Sequence, residues 1–391
     1  MLSALKAISK RADRIESTAT FYSVHAIRRS WRSVAILGSV LLATAAGCSD
    51  KGTTGPTAAP GFLGGTAGNR EIGIVLNSTG KALTMFQLGA PTVQVAVPFG
   101  ASATITPVGF SLQKRLAAVP LGDAASVAVV NLETATVQKF FTFPTGNTTG
   151  SAWSNDTTVF AANTTTNKVG RFYSTQASTG ITTTVDVANS PTAIAYASGR
   201  ILVVSGNLVN YSPVGNGIVT AINPATMAIL GTAQMGGTNS SDAAVGPDGL
   251  LYVINTGDYV TQASMTILNP ATMTVVTTVP NVGIGAGQIT IDANGVAYIS
   301  SFSNSTIVWD TRTRAFIRGT NNVVCAKRST GDCRGAAAAA ASAGGKLYQL
   351  FFGAPAAGLS PYAFVFSATT FALTDSIAVG PGPVAIAIRT F

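Results

Sequence analysis

The sequence predicts an all-β fold: a seven-bladed β-propeller of four-stranded blades, with one blade closed by both termini. Three observations lead there. First, one phrase recurs seven times after Arg70, clearest in TAINPATMAILGT (220–232) and TILNPATMTVVTT (266–278). Weaker copies are VAVVNLETATVQK (127–139), STIVWDTRTRAFIRG (305–319) and FVFSATTFALTDS (364–376). A repeat of about forty to fifty residues signals a solenoid, a propeller or an array. Second, each unit holds four short runs of alternating or β-branched apolar residues separated by turn residues, the pattern of strands. Third, PVAIAIR (383–389) reads as the first, innermost strand of a blade, while IGIVLN (72–77), ALTMFQ (82–87) and TVQVAV (92–97) read as second, third and fourth strands. Pairing 383–389 with 72–77 closes a ring, and ring closure leaves only short protected edges.

The chain opens on a segment of a different kind. In residues 1–47, Arg28, Arg29 and Arg32 precede an apolar stretch from Val34 to Ala46, which ends in Ala45-Ala46-Gly47-Cys48. This is the layout of a secretory signal peptide, too short for a comfortable membrane span. Small residues followed at once by Cys resemble the lipobox of bacterial lipoproteins, with Ala45 standing where that motif usually has Leu. The resemblance implies cleavage before Cys48, a lipid on Cys48 and attachment to the membrane through it, in a cell envelope (periplasm-facing or at the cell surface). Residues 48–69 are Gly, Pro, Thr and Ala with few large apolar groups, and read as a flexible tether to a domain over 70–391.

Composition excludes several chemistries. The whole chain carries 24 Lys+Arg against 15 Asp+Glu, but residues 1–47 hold seven of the former and two of the latter, leaving 17 against 13. Beyond Lys327-Arg328 there is no basic cluster, so nucleic-acid binding is not expected. The single histidine, His25, lies in the leader. A Ser-His-Asp triad, a His-ligated metal or haem, and a His general base are therefore excluded from the mature chain. After the leader the only glutamates are Glu71 and Glu133. No catalytic residue, metal site or cofactor is expected.

Along the blades, the fifth unit is the clearest. A strand near Asp242–Val245 reaches the turn Gly246-Pro247-Asp248-Gly249; LLYVIN (250–255), ASMTILN (263–269) and MTVVTTV (273–279) follow as strands two to four. The first turn recurs as Asp292-Ala293-Asn294-Gly295, Ser198-Gly199, Asn155-Asp156 and Gly344-Gly345, residue types that tolerate positive φ. Fourth strands fall near 93–97, 137–142, 182–187, 228–234, 273–279, 314–318 and 372–379, which makes seven blades. Propensity alone would make GAAAAAASAGG (335–345) a helix; its place in the register makes it the inner strand of blade seven. Units such as LLYVINTG…MTILNPATMTVVTTV, with Tyr252-Val253-Ile254-Asn255 in the signature strand, resemble the YVTN-repeat, surface-layer-like β-propeller family. That resemblance implies an envelope setting and no particular activity.

Site residues follow from loop length. Loops joining strands two and three, and those joining successive blades, share one rim of a propeller. On that rim 205–217, 255–264, 353–361 and 320–335 are expanded, and long loops on a rigid scaffold are where binding concentrates. Tyr211, Asp258, Tyr259, Lys327, Arg328, Asp332 and Arg334 are the polar and aromatic residues placed there. Cys325 and Cys333, eight apart in an exported chain, point to a disulfide; a two-Cys metal site, the rival reading, has no His or third Cys to complete it. Asp248, Asp292 and Asp310 sit at turns where structure accounts for them, and Gly283-x-Gly285-x-Gly287 precedes a strand, unlike a dinucleotide loop. The sequence thus predicts a monomeric, non-catalytic envelope lipoprotein that binds an envelope protein, peptide or polysaccharide through one rim. The alternative is a metal-dependent propeller hydrolase or lyase with its site at the central channel.

Overall fold

The computed structural model describes Leu63, residues 70–353 and residues 358–391. The expected signal peptide, Cys48 and nearly all of the expected tether lie outside the described residues, as do four positions of the 353–361 loop. The described chain is all-β, with seven four-stranded sheets arranged as the blades of a propeller.

Strands β1 (Glu71–Asn77), β2 (Ala82–Gln87) and β3 (Ala90–Pro98) make the outer part of blade one. Blade two is β4 (Ser111–Gln113), β5 (Leu116–Pro120), β6 (Ser126–Asn131) and β7 (Thr136–Thr142). Blade three is β8 (Thr148–Trp153), β9 (Thr158–Asn163), β10 (Lys168–Tyr173) and β11 (Thr183–Asp186). Blade four contains β12 (Pro191–Ala197), β13 (Arg200–Ser205), β16 (Asn216–Ile222) and β17 (Ile229–Thr238), with a small hairpin of β14 (Leu208–Val209) and β15 (Ser212–Pro213) in its loop. Blade five is β18 (Ser240–Val245), β19 (Leu251–Asn255), β20 (Ser264–Asn269) and β21 (Thr274–Val279). Blade six is β22 (Ala286–Ile291), β23 (Val296–Ser301), β24 (Ser305–Asp310) and β25 (Ala315–Arg318). Blade seven is β26 (Ala338–Ala341), β27 (Lys346–Phe351), β28 (Tyr362–Ser367) and β29 (Leu373–Ala378). The last strand, β30 (Pro383–Thr390), pairs antiparallel with β1 from Glu71↔Thr390 to Asn77↔Pro383, so both termini close blade one as the sequence predicts. The alanine run supplies an inner strand, because its register in the blade overrides helix propensity.

The recurring phrase is the hairpin between third and fourth strands. Asn223 Oδ1 accepts the backbone N–H groups of Ala225 (2.9 Å) and Thr226 (3.1 Å), and Met227 turns left-handed at φ 63°. Asn269 does the same for Ala271 and Thr272 ahead of Met273, and Asn131 for Glu133 and Thr134 ahead of Ala135. Asp310 ahead of Arg314, and Ser367 ahead of Phe371, substitute other oxygen acceptors for the amide. A side chain that mimics a backbone turn fixes the loop, and each of these five hairpins carries a one-residue register shift. The turn aspartates of the first hairpins are used in a similar way. Asp248 accepts the Tyr252 hydroxyl at 2.7 Å and Asp292 that of Tyr298 at 3.3 Å. Burial, reinforced by the facing carboxylate, holds both phenols above their ordinary pKa.

The core lies between the blades. Seven apolar clusters each join one pair of neighbouring blades, and the six–seven cluster is centred on Tyr298, Val308, Val324, Leu347 and Phe366. Second strands are therefore buried on both faces and read as continuous apolar runs. Fourth strands face water and are Thr-rich. Around the axis, hydroxyls of one inner strand bind the backbone of the next: Thr149 to the Pro191 carbonyl, Thr192 to that of Ser240, and Thr290 to that of Ala339.

Candidate functional site

By topology, four enlarged loops share the rim opposite the first hairpins. In blade four the β14–β15 hairpin ends in Asn210 (φ 50°) and Tyr211 (φ 62°), and Tyr211 stands 78% exposed at its tip. Two successive positive φ values match the twist of a two-residue hairpin, but an aromatic residue there is strained by about 1 kcal/mol. Tyr259 of blade five repeats this, at φ 63° and 64% exposed. Asp258 presents it: Oδ1 accepts the N–H groups of Val260 (2.9 Å) and Thr261 (2.7 Å) and the Thr261 hydroxyl. Those hydrogen bonds hold the carboxyl below the usual carboxylate range.

The link between blades six and seven folds back on itself. Val324 exchanges two backbone hydrogen bonds with Thr306, and beyond it Arg328 N–H meets the Asp332 carbonyl (2.8 Å) and Arg334 N–H the Ala326 carbonyl (2.9 Å). The Cys325–Cys333 disulfide closes the base of this small hairpin, with Cα atoms 5.5 Å apart. Lys327, Arg328 and Asp332 are exposed at its end, where the Asp332 carboxylate accepts the Thr330 hydroxyl. Arg334 turns down instead. Its guanidinium lies 5.1 Å from the Phe351 ring centre and 5.9 Å from that of Phe364, pinning the hairpin to blade seven.

The structure thus puts the seven sequence-derived residues on three loops of one rim, without a hydrogen bond or ion pair joining one loop's residues to another's among the described residues. It also adds residues that sequence reasoning missed. Among the described residues the five most exposed large apolar side chains are Tyr211, Val260, Tyr259, Phe302 and Val214, and all five lie on this rim. Val260 sits within a loop whose length had already marked it; Phe302 sits in a loop too short to notice.

Two cavities flank the axis. One of about 520 Å³ lies on the opposite rim beside Lys114, Arg115, Asp156 and Phe391. Its acid is already engaged, since Lys114 and Gln113 bind Asp156 and hold it below the usual range. The other, about 220 Å³, opens on the loop-rich rim at the channel mouth, between Ser78, Val108, Gln288, Ser300, Phe302 and Val384. Inside the channel, Asp242 of β18 is surrounded by protein yet keeps some water-accessible surface. Its Oδ2 accepts the Ile289 N–H of the next inner strand at 2.9 Å. Burial pushes its pKa up to about 7, against the opposing pull of the Ile289 and Ala243 N–H groups. Among the described residues no three His, Cys, Asp or Glu side chains converge as metal ligands would. The chain matches no protein-family model and no curated protein sequence.

Proposed function

We propose that the protein is a non-catalytic binding scaffold of the bacterial cell envelope, lipid-anchored at Cys48, monomeric and without a cofactor. It offers the loop-rich rim to an envelope protein, peptide or polysaccharide. One observation carries this reading: among the described residues the most exposed apolar side chains collect on one rim, and two of them are tyrosines held in a left-handed backbone conformation. Exposed apolar groups gathered on one face mark interaction sites. The YVTN-like strands and the lipobox-like leader support the envelope setting. The hydrolase or lyase alternative needs a ligand set at the channel, where Asp242 is the one acid that the inner strands present among the described residues.

Photo-crosslinking in cells tests the rim. A photoreactive residue at Tyr211 or Tyr259 should capture a discrete envelope partner that the same probe at Arg200, on the opposite rim, does not. Tyr211→Ala, Tyr259→Ala and Arg328→Ala together should abolish capture by a probe at Val260 while the melt is unchanged; capture that survives in the folded triple variant refutes the reading. Mass spectrometry of the mature N-terminus tests the anchor, and an unmodified Cys48 would overturn it.

A further inference from the structure

The channel-mouth cavity is lined by polar side chains without partners, which points to a ligand. In blades three and five the residue after the last Asn of strand two is a threonine that reaches the next inner strand: Thr164 binds the Pro191 carbonyl and Thr256 the Ala286 carbonyl. In blade six that position is Phe302, which turns outward, 60% exposed, its edge set against Phe352 with ring centres 6.1 Å apart. Phe302 makes no such side-chain bond to blade seven, which is held instead by Thr290 and the Ala336 N–H, and the cavity of about 220 Å³ opens beside it. Ser300, two residues earlier, lines this cavity; it is only 2% exposed and its Oγ has no hydrogen-bond partner among the described residues. Gln288, directly opposite Ser300 in the β22–β23 register, also lines it, and its amide makes no hydrogen bond among the described residues. Across the same interface Gln349 is fully buried. Its Nε2 donates to Thr306 and the Val324 carbonyl, while Oε1 is left unpartnered. Buried polar atoms without partners are rare because each forfeits its hydration.

We propose that this cavity binds one neutral sugar ring. No charged side chain lines it, so a charged ligand would lose hydration without a counter-charge. Neutral hydrogen-bonding groups (Ser300, Gln288 and Ser78) stand beside apolar ones (Phe302, Val108 and Val384). A pyranose has the same two-sidedness: hydroxyls around its edge for the first set, and a face of polarised C–H groups for the second, including the negative face of an aromatic ring. The volume is below the roughly 300–1,000 Å³ of sites for drug-sized molecules and suits a single ring rather than a long ligand. None of the rim tyrosines lines the cavity, so substitutions there separate this site from the tyrosine loops.

The test is ligand-observed saturation-transfer NMR on the full chain in detergent. The probes are methyl β-glucoside and N-acetylglucosamine, with glucuronate and glucosamine as charged counterparts and N-acetylalanine methylamide as a peptide-like amide. At least one neutral sugar should bind saturably and in preference to the others. Phe302→Ala and Ser300→Ala should each weaken it by about tenfold, the equivalent of one good contact. Gly287→Leu should block it, because a Cβ there meets only the Gly285 carbonyl, at 3.9 Å, and the side chain grows into open space. Tyr211→Ala should leave it unchanged, which separates this site from the rim. Absence of neutral-sugar binding, preference for the amide or a charged probe, or unaltered affinity in folded Gly287→Leu would each overturn the proposal. So would a Ser300→Ala variant that keeps its affinity, since the hydroxyl would then be merely hydrated.

Discussion

Asp242 gives the sharpest test of how the ring is assembled, through the variant Asp242→Asn. The wild-type carboxyl is held near pKa 7 by burial in the channel, against an ordinary value near 4 in the unfolded chain. The folded protein therefore binds this proton more tightly than the unfolded one. The associated stability is present in full below about pH 4 and is lost as the pH climbs to and through about 7. At 1.36 kcal/mol per unit the ceiling is about 4 kcal/mol; water in the channel screens the charge, and about 1–2 kcal/mol is the effect expected. Asparagine keeps an oxygen acceptor for the Ile289 N–H and never ionises. The two proteins should melt alike at pH 4, and Asp242→Asn should melt about 2–4 °C higher at pH 8.5. Melting curves across that range, followed by circular dichroism, give the answer. Parallel pH profiles for the two proteins, or a wild-type advantage at pH 8.5, would refute the argument that burial dominates at this site.

Deleting 383–391 removes the whole β1–β30 ladder, together with Ala385 and Ile386, which belong to two different inter-blade clusters. Two interfaces open at once, so the loss exceeds the roughly 5–15 kcal/mol available to a domain, and calorimetry should find no cooperative transition. Asn255→Ala strips partners from Ser240, Ser264 and Thr266 in a site 1% exposed. It should cost about 2–3 kcal/mol, and a denaturant midpoint within error of wild type would contradict that. Replacing Cys325 and Cys333 by Ser removes about 2–3 kcal/mol of chain-entropy stabilisation. The Val324 and Arg334 contacts remain, so the fold should persist, with a melt lower by a few degrees and faster hydrogen exchange at the amides of Arg328 and Arg334; a melt within error of wild type would contradict the estimate.

Fold and site were legible to different depths. The third hairpin could be read because Asn223 and Asn269 act within three residues of themselves, and such local geometry leaves a fixed signature in the sequence. Closure could be read because PVAIAIR is an inner strand without companions beside it. The rim could be read from loop length, but not what each residue does there. Asp258 and Arg334 look free in the sequence; one is bound to its own loop and the other to two aromatic rings of blade seven. The channel-mouth cavity could not be read at all. Ser78 and Ser300 meet only after the ring has closed, and the high pKa of Asp242 depends on that same enclosure.

The repeat itself explains why its most recognisable letters say little about function. Tyr252 is bound to Asp248, Asn255 to Ser240, Ser264 and Thr266, and Asn269 to its own turn, so each is consumed in holding a blade. Chemistry is available where side chains are left free: at the exposed Tyr211 and Tyr259 on enlarged loops, or at Ser300 beside Phe302. Natural folds depart from local consistency chiefly at functional or strained positions. In this ring left-handed residues occur on both rims, but among the described residues the most exposed apolar side chains fall on one, from the Tyr211 hairpin round to Phe302, while acids of the opposite rim are engaged by Lys114, Tyr252 and Tyr298. Function is therefore to be sought on that one face, beginning at blade six, where a cavity and an unpartnered hydroxyl stand together.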